Sequence, residues 1–187
     1  MEAVFVDQHY NLVVECKHGS RKAQYELYKL YSKAMYNVAM RIVNDTAEAA
    51  DVLQDAFVDA FGRILDFRQE TTFGLWMKQI VINKSISQLR KRKMELVALD
   101  ETNVEDVADE EQSDDTEIQY QVQQVKKAIQ MLPDGYRVVL SLYLLEGYDH
   151  EEIAHILKIS ENTSRTQFMR AKRKLIEMLK HYGISYN

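Results

Sequence analysis

One cysteine, one proline and six glycines are spread over 187 residues, and each scarcity closes off a class of protein. Cys16 has no second cysteine with which to form an internal disulfide, and no Cys/His group has the spacing of a zinc site. Redox and metal chemistry therefore drop out of the expectation. There is no run of about eighteen apolar residues, and no basic start followed by an apolar stretch. The sequence predicts a cytoplasmic protein with no direct membrane insertion. No Gly-rich phosphate loop appears. The five histidines, His9, His18, His150, His155 and His181, are scattered, and His150 and His155 stand five apart, a spacing unsuited to sharing a metal. The carboxylates read as linker or helix-surface acids rather than general acid/base pairs. Neither an enzyme nor a cofactor is expected.

What is present is enough apolar material for a core, 46% of residues, and an uneven distribution of charge beneath a net of −5. Residues 1–95 hold 14 Lys+Arg against 12 Asp+Glu, residues 96–118 hold none against 10, and residues 119–187 hold 10 against 7. Two mildly basic lobes thus flank an acidic strip, LVALDETNVEDVADEEQSDDTEI, which has no aromatic, glycine or proline. Like charges so closely spaced repel, so the strip reads as an extended linker between two domains.

Both lobes predict helices, and an all-α fold follows. Apolar residues recur at three- and four-residue steps through Ala23, Leu27, Leu30, Tyr31, Ala34, Val38 and Ile42, and again through Ala50, Leu53, Phe57, Phe61 and Ile64. Gly19-Ser20, Asn44-Asp45-Thr46 and Gly147 supply stop and cap signals. Pro133 falls between two helical patterns, where its missing N–H is tolerated.

The stretch 149–174, DHEEIAHILKISENTSRTQFMRAKRK, carries the most specific signal. Asp149 with Glu152 forms a capping box that opens a helix of about two turns from His150 to Leu157. Lys158-Ile159 is the turn, and Ser160 is the N-cap of a helix that runs to about Lys180. This is the length pattern of a helix-turn-helix. Within the second helix, Ser164, Phe168, Ala171, Leu175 and Met178 form the inward stripe. Arg165, Thr166, Met169, Arg170 and Arg173 face the other way. Arginines at the exposed start of such a helix can reach guanine edges bidentately, and Thr166 and Met169 can touch a thymine methyl or a phosphate. Lys172 and Lys174 suit backbone phosphate, which adds affinity without sequence choice.

LPDGYRVVLSLYLLEGYDHEEIAHILKIS (132–160), followed by NTSRTQFMRAKRKL, resembles the promoter-reading C-terminal domain of bacterial sigma factors. The likeness is greatest to the small, two-domain extracytoplasmic-function group. In the first lobe, ELYKLYSKAMYNVAMRIVNDTAEAADVLQDAFVDAF (26–61) resembles the region that docks on the polymerase clamp. FGLWMKQIVINKSISQLRKRK (73–93) resembles the region that melts and reads the minus-10 element. The resemblance implies that Asp51, Gln54 and Asp55, which lie off the apolar stripe of their helix, meet the clamp helices of the largest subunit of core RNA polymerase. It implies that Asn83, Lys84, Ser87 and Arg90, left over by a stripe through Trp76, Ile80, Ile86 and Leu89, hold the unwound non-template strand together with the loop FRQETT (67–72). Trp76 could stack on a base, but its register with Ile80 assigns it to the core. The C-terminal helix-turn-helix would read minus-35 promoter DNA and meet the flap of the second-largest subunit. An anti-sigma factor is implied as a further partner, and the acidic linker as a stand-in for nucleic acid in the polymerase channel.

The sequence departs from the family pattern at several points. Lys158 and Asn162 stand where glycine is frequent, Ser164 takes an inward position usually held by Val or Ile, and Ser87 replaces a common acid. Two other classes remain open on the residues alone: an autonomous helix-turn-helix regulator, and a regulator that binds only protein.

Overall fold

The computed structural model describes residues 8–98 and 117–181, and among them it contains eight α-helices and no strand. They divide into two compact units, 1–91 and 92–187. The all-α expectation holds. The expected linker, 96–118, is entered by helix at both ends, as far as Ala98 and from Glu117; the rest of it lies outside the described residues.

In the N-terminal unit α1 (Tyr10–Lys17), α2 (Arg21–Val43) and α3 (Thr46–Gly62) are followed by a single 3-10 turn (Ile64–Asp66) and by α4 (Phe73–Ala98), which belongs to this unit as far as Lys91. The joints follow their chemistry. Gly19 adopts φ +84° and Ser20 then caps α2, its hydroxyl accepting from the Ala23 N–H at 3.2 Å. Asn44 ends α2 in the left-handed region at φ 56°, and Asp45 starts α3 by accepting from the Glu48 N–H at 2.8 Å.

The core of this unit is broader than a single stripe. On α2 it takes Ala23, Leu27, Met35, Val38, Ala39, Ile42 and Val43, whereas Leu30 and Ala34, expected inside, are exposed. α2 packs against both α1 and α3, and its buried line runs from Leu27 through Met35, Val38 and Ala39 to Ile42 and Val43, which leaves Leu30 and Ala34 outside. On α3 the buried set is Ala49, Val52, Leu53, Ala56, Phe57 and Ala60; Ala50, expected inside, is exposed and Phe61 half-buried. On α4 the fully buried residues are Phe73, Met77, Val81, Ile82, Ser85 and Ile86, while Trp76, Ile80 and Leu89 are only half-buried. Ser85 belongs to an apolar face because its hydroxyl donates to the Val81 carbonyl at 2.8 Å.

An aromatic group closes one end of this unit. Phe73 lies 5.3 Å from Tyr31 and 6.1 Å from Phe67 between ring centroids, and Trp76 lies 5.2 Å from Phe67. Gly74 permits the approach, since a Cβ there would meet the Tyr31 ring at 2.8 Å. Lys17 ties the start of the 67–72 loop to α1, its ammonium donating to the Phe67 carbonyl at 2.7 Å.

The C-terminal unit contains α5 (Glu117–Gln130), α6 (Asp134–Leu144), α7 (His150–Leu157) and α8 (Glu161–His181). Leu132, Leu140 and Ala171 form a core against which Ile129, Tyr136, Phe168, Leu175 and Met178 pack. Pro133 sits at the N-cap of α6. Arg137, 2% exposed, donates to the Leu132 carbonyl at 3.1 Å and to Asp134 Oδ1 at 2.7 Å, so a buried cation holds the turn between α5 and α6. Burial lowers the pKa of that guanidinium, and Asp134 opposes the shift.

Candidate functional site

The strongest candidate is the outer face of α8. Its presentation begins one helix earlier. The Asp149 carboxylate accepts from the Glu152 N–H and the Glu152 carboxylate from the Asp149 N–H, both at 2.8 Å, so the capping box is complete. Lys158 then turns the chain in the left-handed region at φ 56°, a conformation that glycine adopts without strain. Ser160 caps α8, accepting from the Thr163 N–H at 3.0 Å. A short helix, a tight turn and a long helix are thus each fixed by a local hydrogen bond.

On α8, Ser164 and Ala171 are fully buried and Phe168, Leu175 and Met178 half-buried, the stripe expected of it. The opposite side presents Arg165, Thr166, Met169, Arg170, Lys172 and Arg173, all exposed, with Met169 at 60%. Two of these are already engaged. Arg165 pairs with Glu161 one turn back, and Thr166 donates its hydroxyl to the Asn162 carbonyl at 2.8 Å. Arg170 lines a shallow groove with Ser160, Asn162, Thr163, Thr166 and Gln167. Chemically, this face offers several cations, one apolar tip and a row of short hydroxyl and amide groups at the end of a helix.

The second candidate face is on α4. Asn83, Ser87 and Arg90 are exposed and Lys84 half-buried. The face is held by contacts within the protein. Asn83 Oδ1 accepts from the Gln79 amide at 3.3 Å, Ser87 donates to the Asn83 carbonyl at 2.9 Å, and Lys84 lies 3.7 Å from the Asp59 carboxylate on α3. Gln79 and Asp59 were not singled out in the sequence; Gln79 stands one turn before Asn83, which is the signal that would have found it. In the 67–72 loop Phe67 is buried and belongs to the core, Thr72 is half-buried, and residues 68–71 are exposed, with Gln69 at φ 63°. Trp76 is at the rim of the aromatic group, half-buried rather than in the core.

The third is on α3, where Asp51, Gln54 and Asp55 are exposed side by side, with Val58, 68% exposed, one turn on. Two acids, an amide and an apolar group make a face suited to a protein partner rather than to a polyanion.

Among the described residues no group of His, Cys, Asp and Glu could hold a metal ion, and no helix is long and apolar enough to cross a membrane. Cys16 is buried, and that burial, with Glu15 beside it, pushes its thiol up to about 11.

Comparison with known proteins gives these faces a context. The model of sigma-70 region 2 matches residues 27–95, which include α3 and most of α4, and that of sigma-70 region 4 matches residues 122–175, which include α7 and the exposed face of α8. The RNA polymerase sigma-H factor of Pseudomonas aeruginosa is 28% identical over 92% of this chain and 94% of its own. The ECF RNA polymerase sigma factor SigW of Bacillus subtilis is 26% identical over 90% and 95%. Among solved structures, the sigma factor RpoE of Bartonella quintana, crystallised with the anti-sigma factor NepR, superposes with a TM-score of 0.62 and 26% identity over 83% of this chain and 96% of that one. Two matched regions in family order, across nearly the full length of these relatives, place the chain in the extracytoplasmic-function group of the sigma-70 family, as a promoter-recognising sigma factor.

Proposed function

We propose a division of labour among the three faces. Asp51, Gln54 and Asp55 grip the clamp helices of the largest subunit of core RNA polymerase. Asn83, Lys84, Ser87 and Arg90 hold the non-template strand of the melted minus-10 element. Arg165, Thr166, Met169, Arg170 and Arg173 read the minus-35 element in the major groove, with Lys172 on phosphate. The observation that carries this reading is the fixed helix-turn-helix, whose second helix turns its cations outward while its apolar stripe is buried. Opening a base costs a few kcal/mol, which a cationic helix beside a polar pocket can offset. The C-terminal unit also meets the flap of the second-largest subunit, and the chain works in the cytoplasm.

Its partners include an anti-sigma factor. The relative from Bartonella quintana was crystallised with one, and a cover over these faces would hold the protein silent. The acidic stretch between the two matched regions, with 10 acids and no cation over residues 96–118, fits a channel built for polyanion.

The test is transcription from a library of random promoters by bacterial core polymerase with and without the chain. The expected outcome is initiation at one shared two-part sequence only when the chain is added. Footprinting of DNA by the chain alone, with core polymerase active but unbound by it, would overturn the proposal.

A further inference from the structure

The reading helix is held from beneath by a polar contact that none of the three faces contains. Ser164, fully buried in the first turns of α8, lies 2.9 Å through its Oγ from Nδ1 of His150, the first residue of α7. The imidazole is itself packed in place. It stacks on Tyr143 of α6 with ring centroids 4.6 Å apart and planes 21° from parallel, and Phe168 of α8 meets it edge-on at 5.5 Å. Tyr143 and Phe168 close the group at 4.5 Å. One ring on α7 therefore touches both α6 and α8, and its side-chain hydrogen bond goes to the residue directly before Arg165.

From this geometry we propose that His150 is a positioning residue for promoter recognition: its hydrogen bond with Ser164 fixes the roll of α8 and so the base contacts of Arg165, Thr166 and Met169. The proposal rests on the minus-35 reading of α8 given above. An apolar pair at the two positions would fill the same space, but dispersion is shallow and weakly directional. A hydrogen bond between two half-fixed groups, by contrast, weakens steeply when the angle departs from linear. A buried serine hydroxyl also has no water to turn to. Deprived of His150, its nearest alternative is the carbonyl of Ser160 one turn back, and that kind of back-bonding bends a helix at its start. A roll of ten degrees at a side-chain radius of about 6 Å moves the outer groups by about 1 Å. That is enough to spoil a bidentate contact to a base and too little to lose a flexible lysine on a phosphate. The expected signature is therefore loss of sequence choice with retention of general affinity.

The experiment uses holoenzyme reconstituted with the full chain and a promoter selected from the random library. Binding is measured to that promoter and to the same DNA with its minus-35 element scrambled, and the ratio is the discrimination. His150→Phe, which keeps the aromatic disc and removes the hydrogen bond, is expected to lower the ratio about three- to tenfold, the usual weight of one hydrogen bond, with binding to scrambled DNA little changed. Ser164→Ala should do the same, and the double variant should lose no more than either alone. His150→Asn, whose amide can stand where Nδ1 stood, should recover most of the ratio. An unchanged ratio in either single variant, a double loss equal to the product of the two, or a failure of His150→Asn to recover it overturns the proposal. Arg170→Ala, measured alongside, separates the two levels. If it leaves the ratio intact, the minus-35 reading and the positioning role fall together. If it lowers the ratio while His150→Phe does not, only the positioning role falls.

Discussion

The helices that carry the two candidate DNA faces, α4 and α8, both contain runs of cations, yet they hold their polar groups in opposite ways. On α8 the outward groups are long, exposed and mostly unengaged, and those that are engaged pair within one turn of their own helix. On α4 Asn83 and Ser87 are short and Lys84 is half-buried, and these three are bonded within their own helix or to α3 before any ligand arrives. The difference suits two tasks. Reading a duplex needs arms that extend across a groove and find base edges. Holding an extruded base needs a surface whose geometry is fixed beforehand, because the cost of unstacking leaves little to spare for ordering side chains.

The comparison breaks first at the core beneath α4. Phe73 is fully buried in the aromatic group that anchors this helix, and Phe73→Ala is expected to destabilise the N-terminal unit by about 3–5 kcal/mol. Calorimetry should show its transition falling while that of the C-terminal unit stays in place, and open-complex formation should be lost with it. A single shifted transition for the whole chain would show that the two units unfold together, and that the two faces are not independently supported.

Next comes the reading face itself. Arg170→Ala should cost about 1–3 kcal/mol on the selected promoter and much less on scrambled DNA if its guanidinium is bidentate to a guanine. Equal losses on both would make it a phosphate contact, leave α8 with the general affinity assigned to Lys172, and take the minus-35 reading down with it.

The turn that aims α8 gives a gain rather than a loss. Lys158 holds φ 56° without being glycine, a conformation that costs an ordinary residue about 1–2 kcal/mol. Lys158→Gly should therefore raise the stability of the C-terminal unit by up to about 1 kcal/mol, part of the gain being lost to the entropy of the unfolded chain. Urea titration with an unchanged slope checks it. Because the ammonium is removed as well, DNA affinity measured in parallel tells whether the residue was kept for charge.

How much of this was visible in the sequence depended on how each helix is packed. The stripe of α8 could be read from spacing because the opposite face, Arg165 to Arg173, is left exposed, and the caps are written in nearby residues, Asp149 with Glu152 for α7 and Ser160 with Thr163 for α8. On α2 spacing failed at Leu30 and Ala34, which fit the three- and four-residue steps but lie off the buried line through Leu27, Met35, Val38, Ala39 and Ile42. On α4 the stripe was placed one position off, on Trp76 and Ile80 instead of Met77 and Val81, because a buried serine sits within the true one. The contact of His150 with Ser164 joins two polar residues fourteen positions apart, and no local pattern marks such a pair. Exposure of Asp51, Gln54 and Asp55 did follow from their phase against Leu53 and Phe57.

The sharpest refinement of the contrast between the two helices is also the smallest in energy. Lys84 is held by Asp59 at 3.7 Å, and the same carboxylate lies 3.9 Å from Arg63, with each of these side chains partly exposed. Such a pair contributes no more than about 0.2–1 kcal/mol to stability. Asp59→Asn should thus lower the melting temperature slightly or not at all, yet it frees a cation on the face assigned to the melted strand and removes a negative charge beside it. If the internal pair holds Lys84 back from a phosphate, the variant should form open complexes several-fold more readily at low salt, and the advantage should shrink as salt is raised. If the pair instead aims Lys84 at its ligand, the same variant should melt promoters less well at every salt concentration. In that case the tethering of the α4 face is preorganisation, and the contrast with the loosely held arms of α8 is one of mechanism rather than of packing alone.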